Sequence, residues 1–108
     1  MSTGLIDESR LVKKGQFYKI YELDDEFMLL DKTKRGLTIS ERSYDPKYEC
    51  DVDKGFIFDM DGKRHKVSIC WHFPKSKFTL DRVLESAIEM EEYYKKLREE
   101  TCPDKYLG

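Results

Sequence analysis

The chain has 108 residues, close to the size of one domain, and we expect residues 1–108 to form a single domain. Its 20 basic and 22 acidic residues leave a net charge of −2, which excludes an overall electrostatic attraction to nucleic acid or to an anionic membrane. The longest apolar runs hold about five residues, whereas about 20 are needed to cross a bilayer, so no membrane-spanning helix is expected.

The first part of the chain predicts an arm followed by two strands. Residues 5–14 fit a short helix that Gly15 closes, so we assign residues 1–15 to an N-terminal arm or short helix. Residues 16–23 and 26–31 have the composition of strands and are joined by two aspartates. Their apolar side chains fall on both faces, and such strands are either covered on both sides or in contact with a partner.

The middle of the chain predicts a third strand and a polar connection. Residues 35–42 alternate apolar and hydroxyl-bearing side chains, as a half-buried strand does. Residues 43–54 are mostly polar and contain Pro46, so we expect them to connect this strand to the next one. The sheet is then predicted to extend over residues 16–73.

Residues 55–73 predict a β-hairpin. The Asp61-Gly62 pair favours a two-residue turn, because both positions of such a turn adopt positive φ. In that register Asp59 faces Arg64 as a cross-strand ion pair. One face is then apolar and forms the expected seat of a helix, with Phe56, Phe58, Val67, Ile69, Trp71 and Phe73. The opposite face carries Ile57, Asp59, Arg64, Lys66, Ser68, Cys70 and His72.

The strongest element of the sequence is a long helix over residues 79–101. Apolar residues at three- and four-residue steps give it one apolar stripe, formed by Leu80, Val83, Leu84, Ala87, Met90, Tyr94 and Leu97. Thr79 is placed to cap its N-terminus, and Pro103 ends it before a tail over residues 102–108. We therefore predict an α+β fold, in which an antiparallel sheet of about five strands packs on one long C-terminal helix.

Residues 55–62, with the sequence GFIFDMDG, resemble the first motif of the haloacid dehalogenase phosphatase family, in which apolar residues precede D-x-D-G. The resemblance implies a metal-dependent phosphatase-like enzyme, with Asp59 as the phosphoryl acceptor, Asp61 as the general acid and base, and Mg²⁺ between them. That family has a parallel sheet with helical crossovers, whereas here a second strand follows Gly62 at once. A hairpin turn explains the same residues, and it is the interpretation that we favour.

The cysteines and histidines do not follow the spacing of a metal site. Cys70 and His72 lie on one face of the predicted hairpin, but the chain contains neither a C-x₂-C nor an H-x₃₋₅-H pattern. Residues 51–55 begin like a calcium loop and lack the glutamate that would complete it. We therefore expect no metal, no cofactor and no catalytic residue, and we predict that the protein is not an enzyme.

The cysteines also bear on the compartment. Cys50, Cys70 and Cys102 are an odd number at irregular spacings, which is no disulfide framework. The first residues lack the basic-then-apolar order of a secretory signal. Unpaired thiols without an export signal predict a cytoplasmic protein.

Basic residues cluster beside the predicted turns, and tyrosines lie near some of them. A sheet face with Arg64, Lys66 and His72 would suit a small sheet-based nucleic-acid-binding protein, which reads phosphates and stacks bases. The same clusters are common at the solvated ends of strands. Nucleic-acid binding is therefore the alternative hypothesis.

The leading hypothesis is a non-catalytic protein-binding module, acting as a small inhibitor or regulator that occludes another protein, by analogy with phage-type inhibitors. Tyrosine and phenylalanine give large contact areas with few rotatable bonds. We assign the partner surface to the aromatic residues of the first two strands, Phe17, Tyr18, Tyr21 and Phe27. A second surface is the acidic face of the helix, with Glu85, Glu89 and Glu92. The partner is expected to be another protein, and a homodimer is the alternative.

Overall fold

In a computed structural model, residues 8–34 and 36–101 are described and form an α+β fold. One antiparallel sheet of six strands packs on one long C-terminal helix, which confirms the predicted fold class and adds one strand to it. The strands are β1 (Leu11–Lys14), β2 (Tyr18–Glu22), β3 (Glu26–Asp31), β4 (Ile39–Asp45), β5 (Cys50–Phe58) and β6 (Arg64–Pro74), and the helix is α1 (Leu80–Thr101).

The sheet consists of two three-stranded meanders. Its strand order is β1-β2-β3-β6-β5-β4, and every neighbouring pair is antiparallel. The two meanders meet where β3 pairs with β6, for example Leu29 opposite Trp71, and we call this pairing the central seam. The seam places β6 in the middle of the sheet, with β3 on one side and β5 on the other.

The helix packs its apolar stripe on one face of the sheet. Val83, Ala87 and Met90 are buried against side chains of β2, β3, β5 and β6. The Thr79 hydroxyl accepts a hydrogen bond from the amide of Arg82 at 3.2 Å, which confirms the predicted N-cap. The predicted start of the helix is therefore correct to within one residue. Among residues 8–34 and 36–101, no helix combines the length and the apolar composition that a membrane span requires.

Strand β2 is covered on both faces, which explains its two-sided apolar pattern. Tyr18 and Ile20 belong to the core cluster beneath the helix. Tyr21 faces the other way, and its hydroxyl donates to the carboxylate of Glu8 at 2.7 Å. Glu8 lies in a single 3₁₀ turn, Glu8–Arg10, that precedes β1. The sequence left open whether this strand is covered on both faces by its own chain or contacts a partner. The structure shows cover by its own chain.

Two sequence predictions upstream of the hairpin are wrong. Within the described part of residues 5–14, the chain forms the 3₁₀ turn and then β1, instead of a helix. The predicted connection 43–54 is mostly strand, because β4 and β5 are separated by a turn over residues 46–49 only. Tyr48, Cys50 and Val52 of this stretch belong to the core, while most of its other residues are polar. The sequence did not show the alternation of buried and exposed residues here, because one of the buried residues, Asp53, is charged.

The predicted register of the hairpin is wrong by one residue. The Asp59 amide donates to the Lys63 carbonyl at 3.0 Å, so the turn holds three residues and not two. Gly62, with φ of 80°, adopts the left-handed conformation that closes such a loop. Phe58 therefore lies opposite Arg64, and the predicted Asp59–Arg64 ion pair does not form. A one-residue shift moves every side chain of a strand to the other face of the sheet.

A bulge in β6 changes, for a second time, which of its residues lie on each face of the sheet. Asp53 lies opposite Cys70 and Lys54 lies opposite Ser68, so Ile69 is an extra residue on β6. The extra residue shifts the alternation of β6 by one position. Between Ile69 and Pro74, the side chains therefore lie on swapped faces relative to the pattern before the bulge. The predicted helix seat is therefore correct only at Trp71 and Phe73, which belong to the core cluster.

Candidate functional site

The end of the β5–β6 hairpin extends beyond its neighbours in the sheet. Strand β3 pairs with β6 only as far as Cys70, and β4 pairs with β5 only as far as Gly55. Residues 56–66 therefore pair only with each other, and we call this two-stranded ribbon the hairpin arm. A two-stranded ribbon has little stability alone, so the sheet at its base holds it in place.

The hairpin arm exposes large apolar side chains. Phe58 is 67% exposed, and Met60, at the tip, is fully exposed. Ile57, on the same strand, is also exposed. On the arm, the guanidinium of Arg64 stacks over the ring of Phe56 at 4.3 Å from the ring centroid. Exposed apolar groups rimmed by charge are typical of a surface that contacts another molecule.

The turn at the tip of the arm contains the two aspartates of the phosphatase-like motif. The carboxylate of Asp59 accepts from the amides of Asp61 and Lys63 at 2.9 and 2.8 Å, and its other oxygen lies 2.8 Å from His65 Nε2. The contact with His65 and the two amides lower the pKa of Asp59. Asp59 therefore stabilises the turn, and the sheet around it is antiparallel. The parallel fold that the phosphatase resemblance implies is absent from the described residues.

A cluster of polar residues, two of them buried, lies on the face of the sheet opposite the helix. The ring of His72 is buried between two carboxylates, with Nδ1 2.9 Å from Glu26 and Nε2 2.7 Å from Asp53. Arg42 donates from Nε to Asp53 at 2.9 Å and places a second nitrogen 3.0 Å from His72 Nε2. We call Glu26, Arg42, Asp53 and His72 the polar quartet. Its members come from β3, β4, β5 and β6, one from each strand.

Cys70 lies beside the polar quartet. Asp53, Cys70 and His72 each offer one metal-ligating atom, and these atoms lie within 4.8 Å of one another. Burial raises the pKa of the Cys70 thiol, and the charges of Asp53 and Glu26 raise it further. Burial also raises the pKa of Cys50 to about 12. Both thiols are therefore protonated at neutral pH and have little nucleophilic character.

The polar quartet predicts a loss of stability in acid. Burial acts to raise the pKa of Asp53, but the hydrogen bonds from Arg42 and His72 outweigh it, and the pKa is lowered. A carboxyl group whose pKa is lower in the folded chain stabilises it above the unfolded pKa of about 3.9, and this stability is lost as the pH falls through the folded pKa. We expect the wild type and Asp53→Asn to differ in melting temperature at pH 6 and to converge by about pH 2. A difference that stays constant over this range would contradict the assignment.

A second polar cluster ties α1 to β3. The side chain of Asp31 is wholly buried and accepts from the Thr33 amide, the Thr33 hydroxyl, Lys34 Nζ and the Tyr94 hydroxyl. Burial works against the charge of Lys34, but the hydrogen bonds with Tyr94 and Asp31 outweigh it and raise the pKa of Lys34. A cavity of about 270 Å³ lies beside this cluster, between α1 and β6. Because Asp31 has four donors, we interpret the cluster as structural.

The aromatic side chains assigned to a partner surface from the sequence lie within the fold. Phe17, Tyr18, Tyr21 and Phe27 are all buried in the folded chain. Phe17 also packs against the ring of Tyr94 with centroids 5.6 Å apart. Side chains buried in this way are not available to a partner, because cover within the chain already removes them from solvent.

The other predicted surfaces have different outcomes. The acidic residues of α1, Glu85, Glu89 and Glu92, are exposed, so this surface stays a prediction. The face predicted for nucleic acid is not assembled, because His72 is buried on the side opposite α1. Lys66 lies beyond the bulge and pairs with Glu41 at 2.8 Å.

The residues that sequence reasoning missed are those of the polar quartet and the exposed end of the arm. Glu26 and Asp53 lie 46 and 19 residues from His72 in the chain. No local pattern links residues so far apart, whereas the hairpin turn was visible and only its loop length was misjudged. No family model, curated protein or solved structure was found to match this chain.

Proposed function

We propose that the chain is a non-catalytic protein-binding module that contacts its partner through the hairpin arm. The observation that supports this proposal is the exposure of Phe58 and Met60 at the end of a ribbon that pairs with no other strand. The module acts as an inhibitor or regulator by occupying a surface of the partner.

The energetics of the arm favour a binding role over a folding role. Phe58 and Met60 are exposed at the far end of the ribbon, so they contribute little to the stability of the fold. Burying one such side chain in a partner would contribute about 1.5–3 kcal/mol. A small number of residues usually contributes most of the binding energy of an interface, and buried aromatic side chains are prominent among them.

The charges of the arm indicate the character of the partner groove. Lys63 and Arg64 are exposed beside the apolar tip. Across residues 56–66, three basic side chains stand against the two aspartates of the turn, which gives the arm a net charge of +1 when histidine is not counted. We therefore expect an apolar groove with an acidic rim.

The proposal is tested by capturing partners from a native-source lysate on the tagged chain. The double variant Phe58→Ser, Met60→Ser should lose the stoichiometric partner while keeping the wild-type melting temperature, because both side chains are exposed. Ile88→Ser is the matched control, since Ile88 is an exposed apolar residue on α1. The control should capture the partner as the wild type does.

Three outcomes would contradict the arm as the binding surface. Capture by the double variant at the wild-type level would exclude it. Loss of capture in Glu85→Gln, Glu89→Gln, Glu92→Gln alone would move the surface to the acidic face of α1. Capture that disappears after nuclease treatment would favour nucleic acid instead.

A further inference from the structure

We propose that Asp53, Cys70 and His72 form a binding site for Zn²⁺ on the face of the sheet opposite α1. The site is independent of the hairpin arm and of the function proposed for it. It is assembled from two paired strands, because Asp53 of β5 lies opposite Cys70 of β6, and His72 follows two residues later on the same face.

The three side chains are ligands that zinc prefers. Carboxylate oxygen, thiolate sulfur and imidazole nitrogen bind Zn²⁺ at about 2.0–2.3 Å in tetrahedral geometry, which places ligand atoms about 3.3–3.6 Å apart. In the chain these atoms lie within 4.8 Å of one another. Side-chain rotations would separate the Asp53 oxygen from His72 Nε2, now 2.7 Å apart, and bring the thiol sulfur closer to both. Three protein ligands leave the fourth position to water or to a further ligand.

Neighbouring residues already orient two of the ligands. The Glu26 carboxylate lies 2.9 Å from His72 Nδ1 and accepts a hydrogen bond from it, so Nε2 faces Asp53 and Cys70. A carboxylate on the far nitrogen of a zinc-binding histidine is the usual outer-shell arrangement. Arg42 holds one oxygen of Asp53 at 2.9 Å and leaves the other directed at Nε2.

Binding of Zn²⁺ displaces the proton of the Cys70 thiol. The ion forms bonds to Nε2 of His72, to the sulfur of Cys70 and to an oxygen of Asp53, while the S–H bond of the thiol breaks. The thiol proton leaves to solvent, because the thiolate is the form of cysteine that binds a metal. The step involves no change of oxidation state.

Arg42 controls access to the site. Its guanidinium lies 3.0 Å from His72 Nε2, where a metal ion would bind, so the two cations compete. The Arg42 side chain is 53% exposed and belongs to β4, which is an edge strand. It can therefore move into solvent without disturbing the core. Removing its charge should strengthen zinc binding.

The test uses Co²⁺ as a spectroscopic probe and Zn²⁺ as the competing ion. Metal-free wild type titrated with Co²⁺ should develop a thiolate-to-cobalt absorption band at one equivalent, and Zn²⁺ should abolish it. The double variant Cys50→Ser, Cys102→Ser leaves Cys70 as the only thiol and should keep the band. Cys70→Ser should lose it.

Affinity measured against a chelator distinguishes a built site from adventitious binding. Glu26→Gln should weaken Zn²⁺ binding by about 10–100-fold, as loss of an outer-shell partner does. Arg42→Gln removes the competing charge and keeps an amide that can donate to Asp53, so it should strengthen binding by roughly tenfold for a charge at this distance. Absence of the band in the double variant would overturn the proposal, even if Cys70→Ser failed to fold. A band that survives in folded Cys70→Ser would also overturn it.

Discussion

In the presence of a chelator, His72→Ala should lower the free energy of unfolding by about 3–5 kcal/mol, near the lower end of that range. The substitution leaves Glu26 without its partner and reduces the partners of Asp53 to Arg42. A carboxylate that loses a hydrogen-bond partner in a buried site keeps a desolvation cost that no other contact offsets. Glu26 is partly exposed, which keeps the loss at the lower end. Chemical denaturation followed by circular dichroism measures it.

His65→Ala is the control for this prediction because it lies in the same strand. His65 also faces a carboxylate, Asp59, at 2.8 Å, but both side chains are well exposed. Exposed ion pairs contribute about 0–1 kcal/mol, so this variant should remain close to the wild type. Equal losses of unfolding free energy in His65→Ala and His72→Ala would mean that the burial of His72 does not increase its contribution to stability.

Phe73→Ala should lower the free energy of unfolding by about 3–5 kcal/mol. The Phe73 side chain is 0% exposed and lies on the central seam, opposite Phe27. Its ring contacts Phe78 edge-on with centroids 5.0 Å apart, and Tyr48 at 6.4 Å. The substitution removes these contacts and leaves a cavity where sheet and helix meet, which the rigid sheet cannot close. Equilibrium denaturation is again the measurement.

Phe58→Ala makes the same chemical change at an exposed position. Phe58 belongs to the hairpin arm and is 67% exposed, so its loss should change stability by less than about 0.5 kcal/mol. The same variant should weaken capture of the partner. The two variants therefore separate a phenylalanine that stabilises the fold from one that is available for contact. A large loss of unfolding free energy in Phe58→Ala would mean that the arm is part of the core.

The helix and β3 were predictable from the sequence because their signals are local. The apolar stripe of α1 repeats over five turns, and Thr79 marks its start. The bounds of β3 agree with the predicted residues 26–31. Both elements are specified by side chains within a few positions of each other, which a single sequence displays directly.

The faces of the hairpin were not predictable to the same degree. Asp61-Gly62 fits both a two-residue and a three-residue loop. The structure distinguishes them by the hydrogen bond from the Asp59 amide to the Lys63 carbonyl and by Asp61, whose φ is not positive. The bulge at Ile69 leaves no signature in the residue pattern. The loop length and the bulge each change the face of the sheet on which side chains of β6 lie. The strands were therefore assigned correctly while the contacts of their side chains were not.

The polar quartet was beyond local reasoning for a different reason. Its partners come from four strands, and their meeting depends on the strand order around the central seam. A histidine next to a tryptophan in a strand gives no indication that carboxylates will lie on either side of it. Sequence patterns therefore predicted the elements of this chain better than they predicted its buried charges.

The central seam also has a consequence for how fast the chain folds. Its pairs join residues 40 to 48 positions apart, from Leu30 with Cys70 to Glu26 with Pro74. Each meander can form from local contacts, but the core that receives α1 exists only after the long loop between β3 and β6 has closed. Closing such a loop costs entropy before any contact compensates for it, which slows folding relative to proteins with local contacts. The rate-limiting barrier is therefore expected to be the docking of two preformed halves.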